Sequence, residues 1–221
     1  RRRELTENPA ALMALAWMHA QADRSRAMVV LPYRDRLQLL GRYLQQLVME
    51  SLGKSTQRSG AKAPHGLTVY GNKGTTDQHA LVQQLVGGPD DCFVTVVEVL
   101  AGLEGVELPS GVRAEDVLSG FAYGTADALR DAGRRTLGIL LDRLDARCLG
   151  ALLALFERAV GLYASLHDLN AYDQPGVEAG KRAAADMIAI QLQLERRLRE
   201  GAQGDAAHFA SLISSQEDPV F

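Results

Sequence analysis

At 221 residues and 47% hydrophobic content, the chain is globular and long enough for one sizeable core, or one domain with a helical extension. Its 24 Lys and Arg against 27 Asp and Glu leave a formal charge of −3, which excludes the whole-chain basic footprint of a binder of nucleic acid or anionic membrane. Cys92 and Cys148 have no CxxC pair and no nearby Cys or His partner, so they predict two buried thiols in a reducing cytoplasm, not a zinc site or a disulfide framework. No window reaches the roughly 18 apolar residues of a membrane span, and RRRELTENP lacks the apolar run of a signal peptide. The absence of an initiator methionine is what a piece of a longer polypeptide would show.

Asn8-Pro9, a cap followed by proline at the first helical position, opens a helix through ALMALAWMHAQA to about residue 22. MVVLP at 28–32 is a short β-branched run of the kind a sheet buries on both faces. RDRLQLLGRYLQQLVMES repeats its leucines at helical spacing over about 34–51, with Gly53 just past the end. LTVYG at 67–71 predicts a strand, TDQHALVQQLV at 76–86 a helix capped by Thr76 or Asp77, and CFVTVVEVL at 92–100 another strand. A helix at 114–133, a strand at 135–142 and a long helix at 146–168 follow. A last pair of helices is predicted at about 176–199 and in DAAHFASLISSQ. Buried strands alternating with amphipathic helices predict an α/β, doubly wound, mainly parallel sheet with a C-terminal helical extension, and ligand sites at the carboxyl ends of the strands. STQRSGAKAPHG at 55–66 reads as a surface loop or a hairpin excursion.

Within this frame, Glu50 stands at a helix end, where the last carbonyls present partial negative charge and favour a raised carboxyl pKa suited to a general base; Gln46 lies one turn earlier on the same face. A solvated residue is the plainer reading of Glu50. His79 falls in the first turn of its helix, where free N–H groups favour a neutral imidazole that can take and give a proton; a surface histidine is the alternative. His19, His65, His167 and His208 read as structural or exposed. GNKGTT at 71–76 feeds a helix N-terminus without the spacing of a P-loop or dinucleotide turn, and Lys73 there is equally an exposed lysine. Lys181 sits early in the helix announced by Pro175 and Gly176, and Asp173 and Gln174 either cap that helix or line a pocket.

YLQQLVMESLGK at 43–54, VYGNKGTTDQHALVQQL at 69–85 and NAYDQPGVEAGKRAAA at 170–185 together resemble, in order and separation, the bacterial branch of the phosphoglucose isomerase family, from Asn8 to about Gln193. The resemblance implies the second sugar-isomerase (SIS) domain over 1–169 and a helical tail over 170–221, the C-terminal portion of a longer enzyme. It implies reversible isomerisation of glucose 6-phosphate and fructose 6-phosphate through ring opening and a cis-enediol, in glycolysis and gluconeogenesis. Glu50 matches the family's catalytic base, His79 the histidine of ring opening that reaches a neighbouring subunit's site, and Lys181 a lysine at the ring oxygen. Gln46 and Gln174 match glutamines lining the sugar-phosphate pocket. Such an enzyme needs no metal or organic cofactor, and is expected to be a cytoplasmic homodimer with shared sites. The family's phosphate-gripping Ser/Thr loop and Gly-Gly-Arg segment are missing from this sequence, so the isolated chain is expected to be weak or inactive. A sugar-phosphate-binding SIS module without catalysis is the alternative.

Overall fold

The computed structural model describes residues 4–64, 66–101 and 106–214, so His65 and the final SQEDPVF lie outside the described residues. These fall into two compact units divided between Asp173 and Gln174. The first unit is built on four parallel strands, β1 (Ala27–Pro32), β2 (Val69–Gly71), β3 (Cys92–Val99) and β4 (Thr136–Leu141), in the spatial order β2-β1-β3-β4. Its helices are α1 (Pro9–Ala20), α2 (Leu40–Leu44), α3 (Gln78–Gly87), α4 (Ala114–Asp131) and α5 (Ala146–Leu166). Asn8 caps α1 as its side chain accepts from the Ala11 N–H at 3.2 Å, and Asp145 caps α5 by accepting from Cys148.

The strand order makes the sheet doubly wound. The chain leaves β1 in one direction to reach β2, then crosses back over β1 to β3 and on to β4, so right-handed connections put helices on both faces. One core layer joins Trp17 of α1, Leu44 of α2 and Phe156 and Tyr163 of α5 to Met28, Val30, Phe93 and Val97 of the sheet. The other sets Leu85 of α3 and Ala122 and Leu129 of α4 on Val29, Leu31, Val94 and Val96. Among the described residues, α5 is the one helix long and apolar enough to cross a membrane, although no such window was expected from the sequence; Leu152, Phe156, Val160 and Tyr163 on it are buried in the first layer. β4 is an edge strand among the described residues and is not buried on both faces: exposure alternates along it, with Leu140 59% exposed. An apolar groove lined by Pro9, Leu12, Met13, Leu137, Ile139 and Leu155 runs beside it.

The segment expected as one helix over 34–51 is broken up. A 3-10 turn at Asp35–Leu37 precedes α2, which widens into a π turn over Gln45–Glu50. The cause is a period of four. Leu40, Leu44, Val48 and Leu52 are all buried, and a spacing of four would drift about 40° per step on an α-helix, whereas wider winding keeps the four in one stripe against the sheet. Of the stretch expected as a loop or hairpin excursion over 55–66, residues 55–64 form a hairpin, with Thr56 bridging Lys62 antiparallel and Gly60 at φ +86°. Both thiols are only half-buried, and Cys92 lies 3.1 Å from the Tyr70 hydroxyl. His167 packs against Tyr163 with ring centroids 4.4 Å apart, and burial lowers its pKa; it is structural, while His19 and His208 are exposed.

The amino ends of the strands are tied by a charge cluster. Arg26, whose side chain is 1% exposed, donates to Asp23 at 2.6 Å, to Asp90 and to the Ala20 carbonyl, and Arg134 and Arg135 approach Asp90 from the start of β4. The Arg26 hydrogen bond holds the Asp90 carboxyl below the usual carboxylate value of 3.8. A depressed folded-state pKa contributes stability that is complete above the unfolded value and disappears as pH falls through the folded one. Asp90→Asn is therefore expected to cost about 2 kcal/mol at neutral pH, after discounting for partial exposure. The variant should also lose part of the decline that the parent shows below pH 3.8, read by chemical unfolding at pH 7 and pH 3.

Candidate active site

Glu50 and Gln46 ride on the π turn, Gln46 exposed and Glu50 half-buried, four residues apart. The carbonyls at this helix end are not bare, as the sequence reading assumed. Lys54, with its side chain 6% exposed, donates from Nζ to the Glu50 carbonyl at 2.8 Å and to the Asp173 carbonyl at 2.7 Å, with the Asp173 carboxylate 3.5 Å away. An ammonium thus offsets the negative pole of the helix and ties the Glu50 turn to the residue before Gln174. The Ser59 N–H, with a smaller part from Arg58, fastens the following loop to Asp168 and holds its carboxyl below its ordinary value.

The loop Gly71–Thr76 leaves the carboxyl end of β2 and crosses over the end of β1. Gly74 donates its N–H to the Pro32 carbonyl at 2.9 Å and lies flat on the Tyr33 ring, where a Cβ would come 2.6 Å from the ring carbons. Lys73 reaches Asp35 at 2.9 Å, and its N–H is accepted by Asp77 at 2.8 Å. Asp77 occupies the cap position of α3 but spends its carboxylate on Lys73, so neither it nor Thr76 caps the helix by a side chain. His79 is the second residue of α3 and is exposed.

The two groups stand at opposite ends of the sheet. A Cβ on Gly41, at the start of α2, would lie 3.3 Å from the carbonyl of Gly71, at the carboxyl end of β2. One on Gly66, ahead of β2, would lie 3.6 Å from the Leu52 carbonyl. The helix therefore runs down β2, and Glu50 ends roughly 12 Å along it from Gly41. His79 stays at the top, where α3 starts. Ligand groups at the carboxyl ends of the strands were expected; Glu50 and Gln46 depart from this because their helix runs back toward the amino ends. Within one chain, Glu50 and His79 do not meet.

Gln174 and Lys181 belong to the second unit, formed by α6 (Pro175–Arg199) and α7 (Ala206–Ser214). Gln174 holds the cap position of α6 without a side-chain cap bond, and Lys181 is exposed and paired with Glu178 at 2.9 Å. The Asp173 carboxylate faces Lys54. Lys54, Tyr33 and Thr125 of α4, whose Oγ1 accepts from the Tyr33 hydroxyl at 2.9 Å, are anchors that no motif in the sequence singled out. The spacing from Glu50 to Lys54 was the available signal for the first, while the pairing of Tyr33 with Thr125 spans 92 positions and left none.

The fold is that of an α/β protein built on a doubly wound parallel sheet, with Glu50 and His79 toward opposite ends of β2. The chain belongs to the phosphoglucose isomerase family, whose profile matches residues 4–207. It is 50% identical to a glucose-6-phosphate isomerase of Parasynechococcus marenigrum over 97% of its length, and 52% identical to that of Geobacter sulfurreducens over 99%. It spans only 39% and 42% of those relatives. Among solved structures, it is similar to a hypothetical protein from Thermus thermophilus, with a TM-score of 0.78 and 31% identity over 84% of this chain and 46% of that one. A glucose-6-phosphate isomerase from Chlamydia trachomatis gives a TM-score of 0.75 and 28% identity, covering 86% of this chain and 40% of that one.

Thr75, in the loop before His79, has φ +65°, a left-handed conformation that is strained for a β-branched residue. Thr75→Asn is expected to relieve about 1 kcal/mol of that strain. The midpoint of urea unfolding should rise with the slope unchanged.

Proposed function

We propose that this chain is the part of a glucose-6-phosphate isomerase that carries its proton-transfer base, and that it interconverts glucose 6-phosphate and fructose 6-phosphate when joined to the remainder of the enzyme. Family membership supports the reaction class, and the separation of Glu50 from His79 along β2 is the observation that carries the arrangement. In this reading the ring is opened by acid–base action at the ring oxygen and its neighbouring hydroxyl, assigned to His79 and Lys181. Glu50 then removes the proton from C2 of the open aldose. The electron pair forms the C1–C2 double bond of a cis-enediol while the carbonyl oxygen takes up a proton. The same carboxyl group returns its proton to C1 as the C2 hydroxyl gives up its own and becomes the ketone. Gln46 and Gln174 line the sugar-phosphate pocket, and no cofactor takes part.

A histidine at the carboxyl end of the sheet and a carboxylate near the amino end can serve one substrate only if they come from different copies. We therefore assign the histidine of each site to the neighbouring subunit of a homodimer. The rest of the enzyme, outside this chain, supplies the grip on phosphate and the charge compensation for the enediolate.

Hybrid dimers test this directly. In the full-length protein, Glu50→Gln and His79→Asn should each reduce turnover by at least a hundredfold. Unfolding and refolding an equal mixture of the two should restore about a quarter of the parent rate, because half the dimers are hybrids and one of their two sites is intact. Recovery no greater than either variant alone would rule out shared sites. A full-length parent that binds sugar phosphate without turnover would leave the non-catalytic module as the better account.

A further inference from the structure

A buried hydroxyl group holds the helix start that presents His79. Tyr33, 2% exposed, follows β1, and its hydroxyl donates to Thr125 Oγ1 on α4 at 2.9 Å. Thr125 is itself 5% exposed. The same Oγ1 accepts from the Gln78 amide nitrogen at 2.8 Å. Gln78 is the first residue of α3, and His79 is the next. A helix whose cap residue has spent its side chain elsewhere is free to fray at its first turn, and here the Gln78–Thr125 bond provides the missing tie. Tyr33 adds a second hold, because its ring supports Gly74 in the loop that leads into the helix. Loop and helix start are thus fixed to one buried oxygen, from two sides.

We infer that Tyr33, Thr125 and Gln78 are positioning residues for His79, fixing the reach of its imidazole toward a substrate without touching that substrate. The inference rests on the assignment of His79 to ring opening. It also explains why two polar side chains from distant parts of the sequence are buried at this end of the sheet. A network whose members satisfy one another gives a rigid mount, and an exposed side chain in a first helical turn has no other source of rigidity than its backbone.

The test uses the full-length protein with Thr125→Val, Thr125→Ser and Tyr33→Phe, each alone and combined with His79→Ala. Thr125→Val keeps the shape and loses the shared oxygen, and is expected to lower kcat about tenfold with KM changed by less than about twofold. Thr125→Ser, which retains the oxygen, should stay within about twofold of the parent. In the His79→Ala background, Thr125→Val and Tyr33→Phe should cause no further loss, because a residue acting through His79 has nothing left to act on. An equal loss in both backgrounds, or a serine variant as impaired as the valine one, would overturn the inference in favour of general packing. Should Thr125→Val fail to fold, Tyr33→Phe, which removes one donor and leaves the Gln78 bond, carries the same comparison. The NMR signals of histidines labelled with 13C give a readout independent of turnover: the His79 resonance should broaden or split in Thr125→Val. An unchanged resonance in a folded variant defeats the positioning role, whereas broadening in Thr125→Val when the parent itself has no isomerase activity defeats only the catalytic assignment of His79.

Discussion

A helix that follows a strand in a parallel sheet must travel back along that strand before the next one can begin. This single constraint separates Glu50 from His79 in space. α2 and its π turn start against Gly71 and finish near Leu52, beside the approach to β2, and so take Glu50 down the sheet. α3 begins where β2 ends and keeps His79 at the top. No local adjustment of side chains could reunite them, because a helix running the other way would deliver the chain to the carboxyl end of β2 and force that strand to run antiparallel. Under the proposed function, the need for a second copy is a property of the topology before it is a property of the site.

The π turn shows how packing and chemistry share one stretch of sequence. Leu44, Val48 and Leu52 are buried in a single stripe, and Gln46 and Glu50, with the same spacing of four, are carried along the open side of that turn. Wider winding is costly in backbone geometry and is found mostly where a helix is held in place by its surroundings. Here the buried stripe, the close approach of Gly53 to the Met49 carbonyl and the Lys54 anchor do the holding. The carboxylate therefore sits on an element whose winding is set by the core beneath it.

Most of the fold was legible in the sequence. The order of strands and helices, the cap at Asn8 and Pro9 and the excursion after Gly53 are all local signals, and outside the segment 34–51 the expected elements formed within a few residues of their places. The wide turn was written in the four-residue spacing of Leu40, Leu44, Val48 and Leu52, but a helix-period reading absorbs it, since spacings of three and four look alike over short windows. The half-exposed face of β4 had no local signature, because position at a sheet edge follows from strand order, which no single segment encodes. Glu50 and His79 could be picked out as residues, whereas their separation depended on the direction of α2 against β2. The Tyr33–Thr125–Gln78 network joins three elements far apart in the chain and is a product of tertiary structure alone.

β4 carries one further consequence. Its outer edge offers backbone donors and acceptors in parallel register, and its exposure alternates so that Leu140 projects outward beside an apolar groove. Backbone pairing at such an edge is indifferent to the identity of the strand that arrives, and an arriving copy presents the same open edge in turn. Where a copy arrives through its own β4, the two edges satisfy each other and the pairing closes on a two-fold axis, which gives a discrete pair of chains and not a filament.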